Sequence, residues 1–303
     1  MKKKIIAALV AGALACCGLA VLSGCGGSDN SSSSSDSSSS STESSSAVEN
    51  SATTTGKLIV GFDAEYPPYG FLADSGEEGY VAADGNTYTG FDLDLANEVC
   101  ARAGWTLEVK PINWDSKDAE LGSGSINCIW NGFTMEGREG QYTFSDAYML
   151  NSQVVAVKAD STIASTDDLA GKTVLTQAES AALELFEEGG DCEELGKTFA
   201  GGAIQTIADY NNAFMQLQSG QVDAVVCDLS VYMHQSNNAA EAYKKLDNNL
   251  SDEHYVVGLA LGDDDTAATI NKYLKEMVED GTVEKIAAKY GDDIDYENLW
   301  CLK

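Results

Sequence analysis

Two short passages of this 303-residue chain end in polar side chains at places where a sheet would open onto a ligand. Ile126-Asn127-Cys128-Ile129-Trp130 runs into Asn131-Gly132, and Val222-Asp223-Ala224-Val225-Val226-Cys227 runs into Asp228. In open α/β sheets, ligands bind beyond the carboxyl ends of the strands, so the Asn131 amide and the Asp228 carboxylate are candidate site groups. Their chemistry is hydrogen bonding and charge pairing. Proton-transfer and metal chemistry find little support, because only His234 and His254 could supply imidazole and no cysteine pair has Cys-x-x-Cys spacing. Asp223, one residue into its apolar run, reads as structural.

The elements that would carry these groups repeat one grammar. Asp118 to Leu121 leads through Gly122-Ser123-Gly124 into the first strand. Ile207, Tyr210, Phe214 and Leu217 recur at helical spacing, and Ser219-Gly220 ends that helix before the second strand. Short apolar strands that follow helices predict parallel sheets covered on both faces. Asp92 is placed to cap a helix through Leu95, Val99, Cys100 and Ala103, with Gly104 near its end. Toward the C-terminus, Ile270, Tyr273, Leu274, Met277 and Val278 form a core stripe closed by Asp280-Gly281. Thr282 starts another helix that stops at Gly291, and Asp263-Asp264-Asp265 suits a solvated helix entry.

Composition narrows the partners. The formal charge is −30, from 18 basic and 48 acidic residues, and no cluster of lysine and arginine could neutralise a phosphate backbone, so a nucleic-acid partner is not expected. Residues 28–46 are almost pure serine with a few acids, a composition that cannot repay chain entropy and predicts a flexible tether. About thirty such residues reach roughly 30 Å. From Gly56 onward the composition suits one large domain or two lobes. Cys128 and Cys227 read as buried strand thiols, whereas bridges involving Cys100, Cys192 or Cys301 are not legible.

Met1-Lys2-Lys3-Lys4, the apolar stretch Ile5 to Leu22 and Ser23-Gly24-Cys25 together resemble a bacterial lipoprotein signal peptide. That resemblance implies cleavage before Cys25, a lipidated Cys25 as the mature amino terminus, and an extracytoplasmic protein anchored to the outer face of the cytoplasmic membrane. The rival reading is a retained membrane-spanning helix.

From Lys57 to Gly291 the chain resembles the polar amino-acid-binding family of ABC-transporter solute-binding proteins. The segments that carry it are Val60 to Tyr69, Gly90-Phe91-Asp92-Leu93-Asp94-Leu95-Ala96, Asn131-Gly132-Phe133-Thr134 through Arg138, Phe144-Ser145-Asp146, Asp168 to Val174, Gly220 to Ala224, and Asp280-Gly281-Thr282. The resemblance implies an α/β, two-lobed periplasmic-binding-protein-like fold of type II, with two crossover strands forming a hinge near Gln153–Val157 and Tyr255–Ala260. It divides the chain into a signal peptide (1–24), a lipidated tether (25–55), lobe 1 (56–153 with 256–303) and lobe 2 (154–255). It implies no cofactor and no catalysis, a monomer, and as partners a free amino acid, an ABC permease and its ATPase.

A free α-amino acid carries a carboxylate and an ammonium, so its enclosing site needs a cationic fork, N–H donors and an acid. By resemblance, Arg138 grips the carboxylate with its planar guanidinium, Thr134 adds a hydroxyl, and Ser180 at the start of the helix Ala181 to Phe186 adds donors from the second lobe. Asp228 receives the ammonium, and Tyr66 and Trp114 sandwich the side chain. Asp63 meets its polar end, an arrangement that favours a cationic side chain while glutamine or cystine could use the same groups. Tyr69 and Trp130 could be pocket wall or core. The loop from Thr134 to Arg138 is one residue shorter than the commonest family spacing. Glu179 would repel a bound carboxylate unless it turns outward, and Leu72 to Thr89 makes a long acidic hairpin. Two other functions share the scaffold: a dehydratase of the prephenate or arogenate type, and a ligand-sensing lipoprotein without transport.

Overall fold

The computed structural model describes residues 56–239 and 241–303. Cys25, the leader and the serine-rich tether lie outside the described residues. None of the described helices is long and apolar enough to cross a membrane.

The two halves of the main sheet are built alike, as the repeated grammar predicts. Lys57–Phe62 pairs in parallel with Thr106–Pro111 and Cys128–Thr134. Val174–Gln177 pairs in parallel with Gln205–Ile207 and Ala224–Asp228. Two long strands, Met149–Lys158 and Ser251–Leu259, join the halves and lie antiparallel to each other. The first also pairs with Ala224–Asp228, and the second with Cys128–Thr134. The resulting order runs Gln205–Ile207, Val174–Gln177, Ala224–Asp228, Met149–Lys158, Ser251–Leu259, Cys128–Thr134, Lys57–Phe62, Thr106–Pro111. This is the two-lobed α/β architecture with crossing strands. The crossing strands begin earlier than expected, at Met149 and Ser251, because their mutual pairing extends through Gln153 and Ser251.

Local signals place the helices. Tyr210–Ser219 starts on Asp209, whose carboxylate accepts the Asn212 N–H at 2.8 Å, and stops at Gly220 with φ of 76°. Asp264–Glu279 starts on Asp263 and buries Ile270, Leu274 and Met277. Thr282–Ala287 follows Gly281, and Asp223 accepts the Thr173 N–H at 2.9 Å, a structural role. The long hairpin folds into a separate small sheet of Glu65–Tyr66, Gly70–Leu72, Tyr80–Val81 and Thr87–Thr89. Cys128 and Cys227 are buried in strands, and all five described cysteines are free thiols.

Asp92 departs from its expected capping role. Gly90 occupies the cap position of Phe91–Ala103, and the Asp92 side chain turns inward, accepting the Gly132 N–H at 2.7 Å and the Tyr148 hydroxyl at 2.8 Å. The first helical turn faces the end of Cys128–Thr134, so the carboxylate serves the neighbouring strand instead of its own helix. Burial pushes Asp92 up to about 7 against the two hydrogen bonds that favour its charge. A folded-state value above the unfolded one means that the native protein binds the extra proton. This contribution to stability is therefore present below pH 3.8 and is lost as pH rises toward 7. Asp92→Asn should flatten the corresponding part of the unfolding-temperature profile and melt higher than wild type at pH 8; equal midpoints at pH 8 would show that the acid is accommodated without cost.

Candidate ligand site

A small cavity lies where the two halves of the sheet meet, lined by Tyr66, Trp114, Asn131, Thr134, Arg138, Ser180 and Asp228 together with Gly132, Gln177 and Ala181. Seven of the eight expected ligand residues thus converge on one space. Tyr69 and Trp130 belong to the core: neither lines the cavity, and both are fully buried.

One end of the cavity is cationic. Arg138 is 4% exposed, stacks with its guanidinium carbon 4.6 Å from the Phe133 ring centre, and donates from Nη1 to the Thr134 carbonyl at 3.1 Å. Its Nε and Nη2 donate to Glu184 Oε1 at 3.2 and 2.7 Å. Glu184 follows Ser180 in the other half of the chain and lines an adjoining groove, not the cavity itself. Lys117 reinforces the positive end, where burial and then Arg138 pull its ammonium below the ordinary lysine range. Lys117 Nζ and Trp114 Nε1 both donate to the Glu179 carbonyl, at 3.0 and 3.1 Å. Glu179 itself is exposed, with φ of 54°. The turn gives its carbonyl to the opposite half and sends its carboxylate to solvent, which removes the expected repulsion.

Ser180 caps a single turn, Ala181–Glu184, shorter than the expected helix. Its hydroxyl accepts from the Leu183 N–H at 3.1 Å and donates to the Gln177 carbonyl at 2.8 Å. The hydroxyl proton is therefore already spent within the protein, and no long helix dipole stands behind it.

The other end is acidic. Asp228 ends its strand, and its Oδ1 accepts from Asn151 Nδ2 and Gln153 Nε2, both at 2.8 Å, and from the Tyr255 hydroxyl at 2.9 Å. Tyr66 lies alongside, its hydroxyl 3.1 Å from that of Tyr255 and its ring stacked on Tyr69. Asp63 stands behind the wall instead of in it. Its Oδ2 accepts from Gln177 Nε2 at 2.6 Å and its Oδ1 from the Glu65 N–H at 2.8 Å, so Gln177 from the opposite half intervenes between the acid and the cavity. Burial raises Asp63 to about 6. Asn131 accepts the Asp63 N–H at 2.9 Å, and its Nδ2 has no partner among the described residues. The strand carrying Asn131 pairs with the crossing strand on both sides of Gly132, whose φ of 58° accommodates the shift in register between Val256 and Gly258, so that it continues to Thr134.

Sequence reasoning missed Gln177, Lys117, Glu184 and Glu253. Gln177 was accessible to the rule that pointed to Asn131 and Asp228, since it ends Val174–Gln177. His234 pairs with Asp293 and His254 with Glu136, both at 2.7 Å, and neither lines the cavity. Among the described residues no group of acids, cysteines and histidines could hold a metal ion.

A two-lobed α/β domain with a polar cavity between its halves defines a solute-binding protein. Residues 58–293 match the model for bacterial extracellular solute-binding proteins, family 3, and the chain belongs to that family. It is 27% identical over 243 residues to the L-cystine-binding protein TcyJ of Escherichia coli K12, covering 79% of this chain and 84% of the relative. A Streptococcus pneumoniae ABC uptake transporter substrate-binding protein with bound histidine superposes with a TM-score of 0.71 at 29% identity, covering 79% and 95% of the two chains. An ancestral arginine-binding protein bound to arginine gives 0.67 at 33% identity, covering 78% and 99%. These similar proteins bind ligands without being named as enzymes.

Proposed function

We propose that this protein is the substrate-binding lipoprotein of an ABC importer, capturing a free polar amino acid outside the cytoplasmic membrane by closure of its two lobes and delivering it to a permease. The observation that carries the reading is the placement of a cationic fork, Arg138, and an acid, Asp228, in the wall of one small cavity. Arg138 takes the α-carboxylate, Asp228 the α-ammonium, and Tyr66 and Trp114 hold the side chain. Thr134 and Ser180 complete the carboxylate side once their hydroxyls turn from their present partners. Asn131 offers its unpartnered Nδ2. Asp63 stands behind Gln177, so the preference for a cationic side chain rests on the relatives that bind arginine and histidine, while the cystine-binding relative keeps neutral polar side chains in play. Lobe 1 comprises residues 56–153 and 256–303, and lobe 2 residues 154–255. Cys25 carries the lipid, residues 25–55 form the tether, and the mature protein works as a monomer.

The test is a thermal-shift panel of the common amino acids with cystine and ornithine, on residues 53–303. A ligand at about a thousand times its dissociation constant stabilises the fold by roughly 4 kcal/mol. A strong response from arginine, lysine, ornithine or histidine supports the whole reading, and one from a neutral amino acid removes the cation preference. No response from any member overturns amino-acid capture.

A further inference from the structure

A second buried acid stands beside the one assigned to the ligand's ammonium. Glu253 lies on the crossing strand Ser251–Leu259 and is 3% exposed. The strand register explains its position. Glu253 pairs across from Asn151, while Gln153 pairs across from both Ser251 and Asp228. Residues two apart on a strand share a face, so Asn151, Gln153, Glu253 and Asp228 project together. Glu253 Oε2 accepts from Asn151 Nδ2 at 3.1 Å, Gln153 Nε2 at 3.0 Å and the Thr134 hydroxyl at 2.9 Å, and its Oε1 accepts from Ser251 at 2.9 Å. The same two amide groups bridge to Asp228. Two carboxylates are thus clamped on one pair of neutral donors, and no cation among the described residues contacts either.

The surrounding groups do not relieve this. The nearest guanidinium, Arg138, gives its Nε and Nη2 to Glu184 and its Nη1 to the Thr134 carbonyl. On the strand itself, Asp252 pairs with Ser152 and His254 with Glu136. Around Asp228 the titratable neighbours are the phenols Tyr66, Tyr69, Tyr210 and Tyr255 and the thiol Cys227, all neutral and held above their usual range chiefly by burial. Two like charges so close in a dry site cannot both ionise cheaply.

We propose that Asp228 and Glu253 hold one proton between them, and that capture of the ligand's ammonium expels it to solvent. Glu253 is then a positioning residue: it sets the charge that Asp228 presents without touching the ligand. Burial raises both carboxyls, and for Glu253 the Asp228 charge is the next largest cause. The inference rests on the ammonium site proposed above. By linkage, a proton released on binding makes affinity rise with pH, by up to about tenfold per unit while the pair still holds its proton.

The probe is L-arginine, whose groups do not titrate between pH 5 and 8. Calorimetry in buffers of different ionisation enthalpy should show close to one proton released per arginine bound to the wild type and none for Glu253→Gln. Equal release in both, or none in the wild type, overturns the proposal. If arginine does not bind the wild type, the cationic-ligand reading fails and the pair is judged on the ligand-free protein. There, the wild-type unfolding temperature should fall more steeply than that of Glu253→Gln as pH rises above the ordinary glutamate value of 4.5. Coincident profiles overturn it. Should Glu253→Gln fail to fold, Asp228→Asn must flatten the same part of the profile, and an unflattened profile is again decisive against the pair.

Discussion

Arg138→Ala is expected to weaken amino-acid binding by about 30- to 5,000-fold, since removing one partner of a buried hydrogen-bonded charge pair costs about 2–5 kcal/mol. The side chain is held in place before any ligand arrives. Phe133 supports one face of the guanidinium, the Thr134 carbonyl fixes Nη1, and Glu184 holds Nε and Nη2 from the opposite lobe. A preorganised fork spends little side-chain entropy when a carboxylate arrives. Lys117 cannot substitute, because it does not line the cavity. Arg138→Lys should therefore recover only a small part of the loss. Isothermal titration with the strongest responder of the amino-acid panel measures the effect, alongside thermal unfolding to show that the fold survives. Wild-type affinity in Arg138→Ala would remove Arg138 from the site.

Gly90→Ala is expected to destabilise the domain by about 3 kcal/mol or more, because a side chain there combines forbidden backbone geometry with a backbone collision. Gly90 has φ of 150°, and a Cβ would lie 2.1 Å from the Tyr69 carbonyl oxygen and 2.7 Å from the Gly70 Cα. Neither neighbour is the end of a flexible side chain. Gly90 opens the helix that carries Asp92, and Asp92 holds the Gly132 N–H between Asn131 and Thr134. The damage should therefore reach the cavity as well as the core. Denaturant unfolding of Gly90→Ala against wild type reads the stability, and titration at a temperature where the variant is folded reads the site. Stability within 1 kcal/mol of wild type would mean that the helix start relaxes without cost.

Much of the fold was legible because it depends on local patterns. The helix entry at Asp263, the stops at Gly104, Gly220 and Gly281, and short apolar strands after helices all announce themselves through neighbouring residues, whereas Ile207, read into the helix that starts on Asp209, ends a strand. The site candidates at Asn131 and Asp228 followed from one rule about strand ends. Asp92 was misread because capping and inward turning use the same residue type at nearly the same position, and only the strand packed against the helix decides between them.

By itself, the sequence determined the parallel halves, the polar strand ends that face the cavity, and the acidic, weakly cationic character of the chain. These properties arise from spacing and composition over a few residues. The tertiary structure alone decided that Glu184 braces Arg138, that Gln177 stands before Asp63, and that Glu253 shares its donors with Asp228. These partners lie between 46 and 114 residues apart along the chain. Their meeting depends on the register of two antiparallel crossing strands, and a one-residue slip in that register would send every one of the crossing-strand side chains to the other face.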